Sequence, residues 1–265
     1  MKNRILSLAI SLFLMPFGFS ESLSVENKAL IQKLVDERVN TYLNSNEFQQ
    51  AIDSGIYRFI ETQNTQRVAQ EAEAKASQAE AILPVNENDY VYGNLDARYT
   101  LIEYSDYECP YCKKFHSTAE MFVERNPEVN WVYRHFPLDF HNPGAQKQAE
   151  AAECAGELAG NQGFWDYSKK IFERTKSNGK GFPIENLVPL AEELKLNKTQ
   201  FETCLNTDKY RNKVLLQFQQ GQRAGVTGTP GNFLIDTQTG QIIAVNGAQP
   251  LNALESALNK LKENN

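Results

Sequence analysis

The stretch Tyr99–Cys112, YTLIEYSDYECPYC, decides the fold of this chain. Its first half, Tyr99–Ser105, is rich in β-branched, aromatic and aliphatic residues, which predicts a buried strand. The second half ends in two cysteines with two residues between them, at the predicted start of a helix. A cysteine there lies among unpaired backbone N–H groups and at the positive end of the helix dipole, both of which favour thiolate over thiol. We therefore expect Cys109 to be a nucleophile, with Cys112 about one turn later and within disulfide reach.

A strand, helix, strand unit surrounds this stretch. The helix is predicted from about Pro110 to Arg125, and it ends at Asn126-Pro127 because the residue before a proline disfavours helical geometry. Val129 to Phe136, VNWVYRHF, is the next predicted strand. A turn at Gly93-Asn94 precedes the unit. From Tyr90 onward the pattern is therefore α/β.

A block of helices follows before the chain returns to strands. In the third of these helices, Pro189 is expected to kink or shorten the helix. The predicted helices are Ala145–Leu158, Phe164–Thr175, Ile184–Leu194, Lys198–Leu205 and Lys209–Arg223, followed by strands Phe233–Asp236 and Ile242–Val245 and a last helix Leu251–Lys262. This order predicts a thioredoxin fold with an inserted helical domain at about residues 143–224.

A second signature far downstream tests that prediction. Thioredoxin-like enzymes carry a cis-proline loop that faces the disulfide, just before the first strand of the C-terminal hairpin. Val226–Pro230, VTGTP, stands at that place, ahead of the strand that starts at Phe233. A cis bond before Pro230 would shape the substrate groove.

These stretches together resemble the DsbA family of exported thiol-disulfide oxidoreductases. The matching segments are YSDYECPYC, VYRHFPL and GVTGTPGNFLI, and with the inserted helices the resemblance covers roughly residues 85–262. It implies that Cys109 attacks and forms mixed disulfides and that Cys112 resolves them. It also implies that Pro230 and Thr229 line the substrate groove.

Glu103 lies six residues before Cys109 in the predicted strand. By the resemblance it matches the buried acid that assists proton transfer in the family. A carboxylate beside a buried thiol would have its titration coupled to that thiol. The alternative is an acid satisfied at the edge of the sheet.

Two departures from the family pattern bear on activity. Many DsbA proteins have a histidine between the cysteines, where this chain has Tyr111. Thr229 before the proline, together with that tyrosine, looks more like the isomerases of the wider family. These features favour a protein that reshuffles wrong disulfides as well as introducing correct ones.

The N-terminal part carries apolar residues at helical spacing over about residues 23–63, in two helices separated by Ser45-Asn46. Such a segment cannot bury its apolar stripe alone. It either covers the main domain or pairs with copies of itself, and the polar helical connector at residues 65–84 favours the second alternative. We expect an N-terminal helical oligomerisation segment at residues 21–64, which resembles the extensions of ScsC-type and outer-membrane immunoreactive family members, and a catalytic domain at residues 85–265.

The first twenty residues predict export. Lys2 and Arg4 precede an apolar run from Ile5 to Phe19 that is too short to span a bilayer comfortably, which is typical of a cleaved signal peptide. Removal of residues 1–20 changes the formal charge from −6 to −8, because two cations are lost. Such an acidic chain is a poor candidate for binding nucleic acid. We expect a periplasmic protein, with outer-membrane association as a further possibility implied by resemblance.

The remaining cysteines, Cys154 and Cys204, fall on predicted helices of the insertion among apolar residues. An exported protein with four cysteines favours a structural disulfide between them, and two isolated core thiols are the alternative. Zinc would need further ligands near the CxxC, and no second CxxC is present, so neither a metal nor another cofactor is expected. The histidines, His116, His135 and His141, share no spacing and are expected to be structural.

The expected partners are unfolded or misoxidised exported proteins, a membrane redox partner that recharges the active site, and further copies of this chain as a dimer or trimer. An aromatic rim of Tyr107, Tyr111 and Phe136 would suit unfolded substrates, although packing explains these rings equally well. Two rival interpretations remain at this point. One is a monomeric dithiol oxidase, and the other is a periplasmic chaperone or scaffold with an incidental CxxC.

Overall fold

The structure is a computed structural model that describes residues 24–82 and 84–263. The chain divides into two compact units, at residues 1–70 and 71–265, and the predicted signal peptide lies outside the described residues. The elements are α1 Val25–Leu43, α2 Asn46–Ala81, β1 Val91–Gly93, β2 Tyr99–Ser105, α3 Pro110–Arg125, β3 Val129–His135, α4 Gly144–Arg174, α5 Leu187–Glu193, α6 Lys198–Asn206, α7 Arg211–Arg223, β4 Gly231–Asp236, β5 Ile242–Ala244 and α8 Leu251–Glu263.

The strands form one sheet in the order β1-β3-β2-β4-β5, which places β2 at its centre. β2 and β3 are parallel and joined through α3, with Glu103 paired to Tyr133, whereas β4 runs antiparallel to β2. All seven residues of β2 are buried because the sheet is covered on both faces. Alternate residues serve different clusters: Leu101 packs in the larger core and Ile102 in the smaller one.

Helices α4 to α7 form the predicted insertion between β3 and β4, and the thioredoxin fold with an inserted helical domain is confirmed. The two predicted helices on either side of Gly160 are present as two helical segments of α4, which meet at a kink where Ala159 and Gly160 have non-helical backbone. Gly160 has φ 66°, a conformation that glycine adopts without steric cost. The predicted helix Ile184–Leu194 is shortened to Leu187–Glu193, which is one of the two effects expected of Pro189. This proline lies in the first turn of α5, where its missing N–H would have had no intrahelical partner anyway.

Two features of the chain before the active site were not predicted. The short strand β1 pairs with the edge of β3, and its three residues are too few to show an alternating pattern. The predicted helical connector is not a separate element, because α2 continues from Asn46 through Gly55 to Ala81. Strong helix formers after Arg67 explain this continuity.

The first unit contains α1 and most of α2. Large apolar side chains on these helices are exposed in the single chain, including Ile31, Val35, Ile56 and Phe59. In the described part of the chain, no helix is both long enough and apolar enough to cross a membrane.

A disulfide between Cys154 of α4 and Cys204 of α6 joins two helices of the insertion. We predict that the Cys154→Ala/Cys204→Ala variant loses about 2–4 kcal/mol of unfolding free energy, because an open loop of 50 residues gives the unfolded chain more conformational freedom. Urea unfolding of the wild type and the variant measures this loss. Exchange activity at 25 °C is the control and should be retained. Equal unfolding midpoints would contradict a stabilising role.

Candidate active site

Cys109 is the N-cap residue of α3, directly before Pro110. Its thiol is only 4% exposed and donates a hydrogen bond to the carbonyl oxygen of Thr229 at 3.4 Å. Cys112 lies in the first turn of the same helix and is fully buried, and in this structure both cysteines are free thiols. The fold therefore gives the two thiols unequal surroundings, because Cys109 keeps a small exposed fraction and Cys112 has none.

This inequality sets the acidity of the pair. The pKa of Cys109 is lowered to about 6, chiefly by a hydrogen bond from the Cys112 side chain, with further contributions from Thr229 and from the backbone N–H groups of Tyr111 and Cys112. The pKa of Cys112 is raised well above its usual value, first by burial and then by its interaction with Cys109. At neutral pH, Cys109 is therefore the thiolate and Cys112 keeps its proton.

We predict that alkylation of reduced protein by iodoacetamide occurs at Cys109 and rises with pH to half its maximum near pH 6, because the pKa of Cys109 is about 6. In Cys112→Ala the midpoint should move to higher pH, because the largest stabilising hydrogen bond is lost. Mass spectrometry of the labelled peptide identifies the site. A midpoint at the pH of an ordinary thiol would contradict the assigned role of the helix N-terminus and Cys112.

Thr229 and Pro230 face Cys109, as the site prediction requires, and the bond between them is cis. The Thr229 hydroxyl is buried without a hydrogen-bond partner in the described residues, so it is free to donate to a Cys109 thiolate. A second cis bond, Asn142-Pro143, was not predicted. Cys109 and Thr229 are 120 residues apart in the sequence, so the fold and not local structure brings them together.

Glu103 lies in the central strand with no exposed surface, so the alternative of an acid satisfied at the edge of the sheet is wrong. Ser105 donates a 2.6 Å hydrogen bond to Oε1, whereas Oε2 has no partner of normal geometry. Burial raises the pKa of Glu103 to about 8 and outweighs the hydrogen bond from Ser105. The charges of Glu103 and Cys109 disfavour each other, and Glu103 also raises the pKa of Cys112. The acid and both thiols therefore titrate as one coupled group.

Asp106 was missed at the sequence level although it lies within the decisive stretch. Its buried carboxylate accepts hydrogen bonds from the backbone N–H of Glu108 at 2.7 Å, the backbone N–H of Leu138 at 2.8 Å and Nδ1 of His141 at 2.8 Å. Its carbonyl oxygen accepts from the N–H of Cys109. Asp106 therefore holds the turn before the nucleophile against the segment after β3. A polar residue directly after a buried strand was the available signal.

Glu108 fixes the same turn from the other side. Its buried carboxylate accepts hydrogen bonds from Gln148 and from the N–H groups of Gly179 and Gly181, and its carbonyl oxygen accepts from the N–H of Asn178. A Cβ at position 181 would overlap this carboxylate, which explains the glycine. The residue before Cys109 thus ties the active-site turn to the loop after α4.

Of the two alternatives for the aromatic rim, packing is the one that holds for two of its three members. Tyr107 is 1% exposed and Phe136 is 3% exposed, so both belong to the core. Tyr107 donates to or accepts from Ser168 and stacks on Tyr133. Tyr111 is 64% exposed, which leaves it as the member that can contact a substrate.

The histidines serve structure, as expected. His116 lies among aromatic rings of Trp131, Trp165 and Phe172, and burial lowers its pKa to about 4. His135 bonds Glu153 and His141 bonds Asp106, so the three rings do not converge. In the described residues no group of three or more potential metal-ligating side chains is present.

A low-pKa thiol at a helix N-terminus, a second thiol buried one turn later and an adjacent cis-proline on this sheet define the thioredoxin-fold thiol-disulfide oxidoreductases. The family model described as Thioredoxin matches residues 85–260. Within that class the chain belongs to the DsbA family. DsbA2 of Pseudomonas aeruginosa is 32% identical, with a TM-score of 0.59 over 68% of this chain and 96% of that one.

A linker-deletion mutant of ScsC from Proteus mirabilis is similar over a longer range. The similarity covers 93% of this chain and all of that one, with a TM-score of 0.59 and 18% identity. At this identity the match concerns the fold alone. Because it covers so much of the chain, it extends into the N-terminal helices.

Curated relatives include a Na(+)/H(+) antiporter, NhaA 3 of Salinispora tropica, which is 29% identical over 154 residues. That alignment covers 58% of this chain and 22% of the antiporter. The chain therefore spans about a fifth of the length of the curated relatives it matches, and their name assigns no activity to it.

Proposed function

We propose that this protein is an exported enzyme that introduces disulfides into client proteins and also isomerises wrong ones. The observation that carries the proposal is the asymmetric thiol pair, in which the pKa of Cys109 is about 6 and the pKa of Cys112 is raised. At neutral pH the Cys109 thiolate attacks, and Cys112 remains a buried thiol.

Oxidation of a client would proceed in two exchanges from the Cys109-Cys112 disulfide. A client thiolate attacks Sγ of Cys109 and displaces the Cys112 thiolate, which forms a mixed disulfide. A second client thiolate then attacks the client sulfur, forms the client disulfide and releases the Cys109 thiolate. The client loses two electrons and the enzyme gains them, so a membrane redox partner must reoxidise the pair.

Isomerisation would start from the reduced pair. The Cys109 thiolate attacks a wrong client disulfide and releases one client thiolate, which attacks elsewhere in the client and finally displaces Cys109. No net electrons move. Tyr111 between the cysteines and Thr229 before the cis-proline favour this second activity by resemblance to isomerases.

The proposal includes a homo-oligomer, a dimer or trimer, formed through residues 23–63. It is supported by the exposed apolar side chains of α1 and α2, because such side chains are normally covered by a partner. Several enzyme copies held together would allow one copy to bind a client while another attacks it. We place the protein in the periplasm on the basis of residues 1–20, with no role in nucleic-acid binding and with outer-membrane association left to experiment.

Reactivation of a substrate with scrambled disulfides tests the proposal. A deletion up to Val85 would remove Ile82, which is 4% exposed and packs in the smaller core, so full-length variants are the better tool. We expect wild type to reactivate the substrate, Cys109→Ala to fail, and Val35→Gln/Ile56→Gln to lose both oligomer and reactivation while still oxidising a reduced substrate. Those two side chains are exposed in the single chain.

The outcomes separate the alternatives. Equal reactivation by the monomeric double variant would contradict oligomer-dependent isomerisation. If wild type and Val35→Gln/Ile56→Gln both oxidise a reduced substrate but neither reactivates the scrambled one, the protein is a dithiol oxidase. Protection of an unfolding client by Cys109→Ala at the wild-type level, without exchange by the wild type, would indicate a chaperone with an incidental CxxC.

A further inference from the structure

A basic cleft lies beside the active-site turn, on the loop that follows α4. It encloses about 470 Å³ and is lined by Arg174, Lys176, Lys180, Phe182, Pro183 and Pro189, among others. The walls combine long cationic side chains with apolar rings. This composition suits an extended polypeptide that carries both a carboxylate and apolar groups.

The charges in the cleft are not balanced. Glu193 is the acid of the lining, and it is held by Arg174 through two hydrogen bonds. Lys176 and Lys180 are exposed and form no ion pair in the part of the chain that the structure describes. Two free cations therefore remain at this place on a chain whose formal charge is −6.

The loop that carries these lysines is attached to the catalytic turn. Asn178 N–H donates to the carbonyl oxygen of Glu108 at 2.7 Å, and Gly179 and Gly181 N–H donate to its carboxylate at 3.0 and 2.9 Å. On the other flank, Nζ of Lys113 donates to the carbonyl oxygen of Thr175 at 2.7 Å. The cleft is thus held at a fixed place relative to Cys109.

The backbone of this loop is arranged for that attachment. Ser177, Asn178 and Gly179 have consecutive positive φ values of 59°, 56° and 73°. Within this turn, Asn178 N–H donates to the carbonyl oxygen of Glu108 and Gly179 N–H donates to its carboxylate. Lys176 and Lys180, on either side of the three residues, therefore extend from a loop that is hydrogen-bonded to Glu108.

We propose that Lys176 and Lys180 form a client-recognition subsite that selects acidic segments of unfolded polypeptide near the cysteine under attack. The inference rests on the proposed exchange with client proteins and adds a substrate class to it. The apolar rings of the cleft contact the side chains between the cysteine and the acidic residue.

The geometry gives the spacing of such a client. The hydrogen bond between Glu108 and Asn178 brings their Cα atoms within about 7 Å, since the bonds involved have fixed lengths. Cys109 is the next residue after Glu108, and each lysine is two residues from Asn178, so the Cα atoms of Cys109 and each lysine lie within about 18 Å of each other. An extended client rises about 3.4 Å per residue, which places its carboxylate within about five residues of its cysteine.

The test uses oxidised full-length protein and ten-residue peptides with one cysteine. The peptides carry Asp, Asn or Lys four residues before or after the cysteine, or Asp directly beside it. Stopped-flow measurement gives the rate of mixed-disulfide formation, and each rate is divided by the rate of the same peptide with glutathione disulfide. This division removes the effect of Asp on the peptide thiol itself.

At low salt we expect the better-placed distant Asp peptide to react about three- to tenfold faster than its Asn counterpart, because two surface cations act on it with partial screening. Lys176→Gln/Lys180→Gln should abolish this advantage and leave the Asn peptide unchanged. The matched control is Arg125→Gln/Lys260→Gln, which removes two exposed cations that form no ion pair in the described structure. It should keep the advantage.

Three results would overturn the subsite. The first is equal normalised rates for Asp and Asn peptides in wild type. The second is an Asp advantage that survives in Lys176→Gln/Lys180→Gln. The third is an advantage that both double variants lose alike, which would show a general field effect. Failure of every peptide to react is a different outcome, because it contradicts the proposed exchange activity itself.

Discussion

Cys109→Ala is expected to reduce thiol-disulfide exchange to below about one hundredth of the wild-type rate. Exchange requires a thiolate that can reach the client sulfur, and the pKa of Cys109, about 6, makes it the thiolate of the pair. Cys112 cannot replace it, because it is fully buried and its pKa is raised. The measurement is the rate at which each reduced variant exchanges with a client that carries a disulfide.

Cys112→Ala is the matched control, and it should behave differently. It keeps the attacking thiol but lacks the thiol that resolves the mixed disulfide. Attack on the client disulfide should therefore leave a covalent complex that accumulates on a nonreducing gel. Circular dichroism of both variants tests for intact folding. A Cys109→Ala protein that still forms covalent client complexes through Cys112 would contradict the assignment of roles.

Both cysteines were predicted from a stretch of fourteen residues because the relevant information is local. The strand Tyr99–Ser105 and the helix Pro110–Arg125 occur with the predicted boundaries. The β propensity of a strand and the restriction that a proline places on the residue before it depend on neighbouring residues. Both can therefore be predicted without knowledge of the rest of the fold. The place of Pro230 was readable for a different reason, since the order of elements defines it.

The hydrogen bonds of Asp106 and Glu108 that hold the active-site turn could not be predicted in this way. Glu108 bonds residues 71 and 73 positions later, and Asp106 bonds His141 35 positions later. An acidic residue in a turn is usually solvated, and no periodicity distinguishes the buried exception. The choice between rim and packing was left open for a related reason. The burial of Tyr107 and Phe136 depends on distant elements that pack against them.

Sequence reasoning left the environment of Glu103 open between the centre and the edge of the sheet. The strand order places Glu103 at the centre of the sheet, and this position affects the free energy of unfolding. Between pH 4.5 and about 8, the folded protein keeps a proton on Glu103 that the unfolded chain releases. The folded state therefore binds more protons in this window, and the Glu103 contribution to stability falls as pH rises.

Glu103→Gln should remove this loss of stability. The rise in the pKa of Glu103 from 4.5 to about 8 corresponds to a loss on the order of 5 kcal/mol in the free energy of unfolding. This loss is fully developed above pH 8 and absent below pH 4.5. The Cys109 thiolate acts in the opposite sense above pH 6, because its pKa is lowered. The informative quantity is therefore the difference in unfolding free energy between wild type and variant, measured with urea at pH 5 and pH 8.5, which should grow with pH in favour of the variant.

The same substitution should slow catalysis at one step. Cys112 must lose its proton to attack the mixed disulfide, and Glu103 is the buried acid whose charge is coupled to it. We expect Glu103→Gln to leave the first attack by Cys109 within about twofold and to slow resolution of the mixed disulfide by tenfold or more, within the usual range for loss of a proton acceptor. Quenched samples separate the two steps. If stability rises as expected while both steps keep their wild-type rates and pH profiles, Glu103 is a destabilising buried acid without a role in proton transfer.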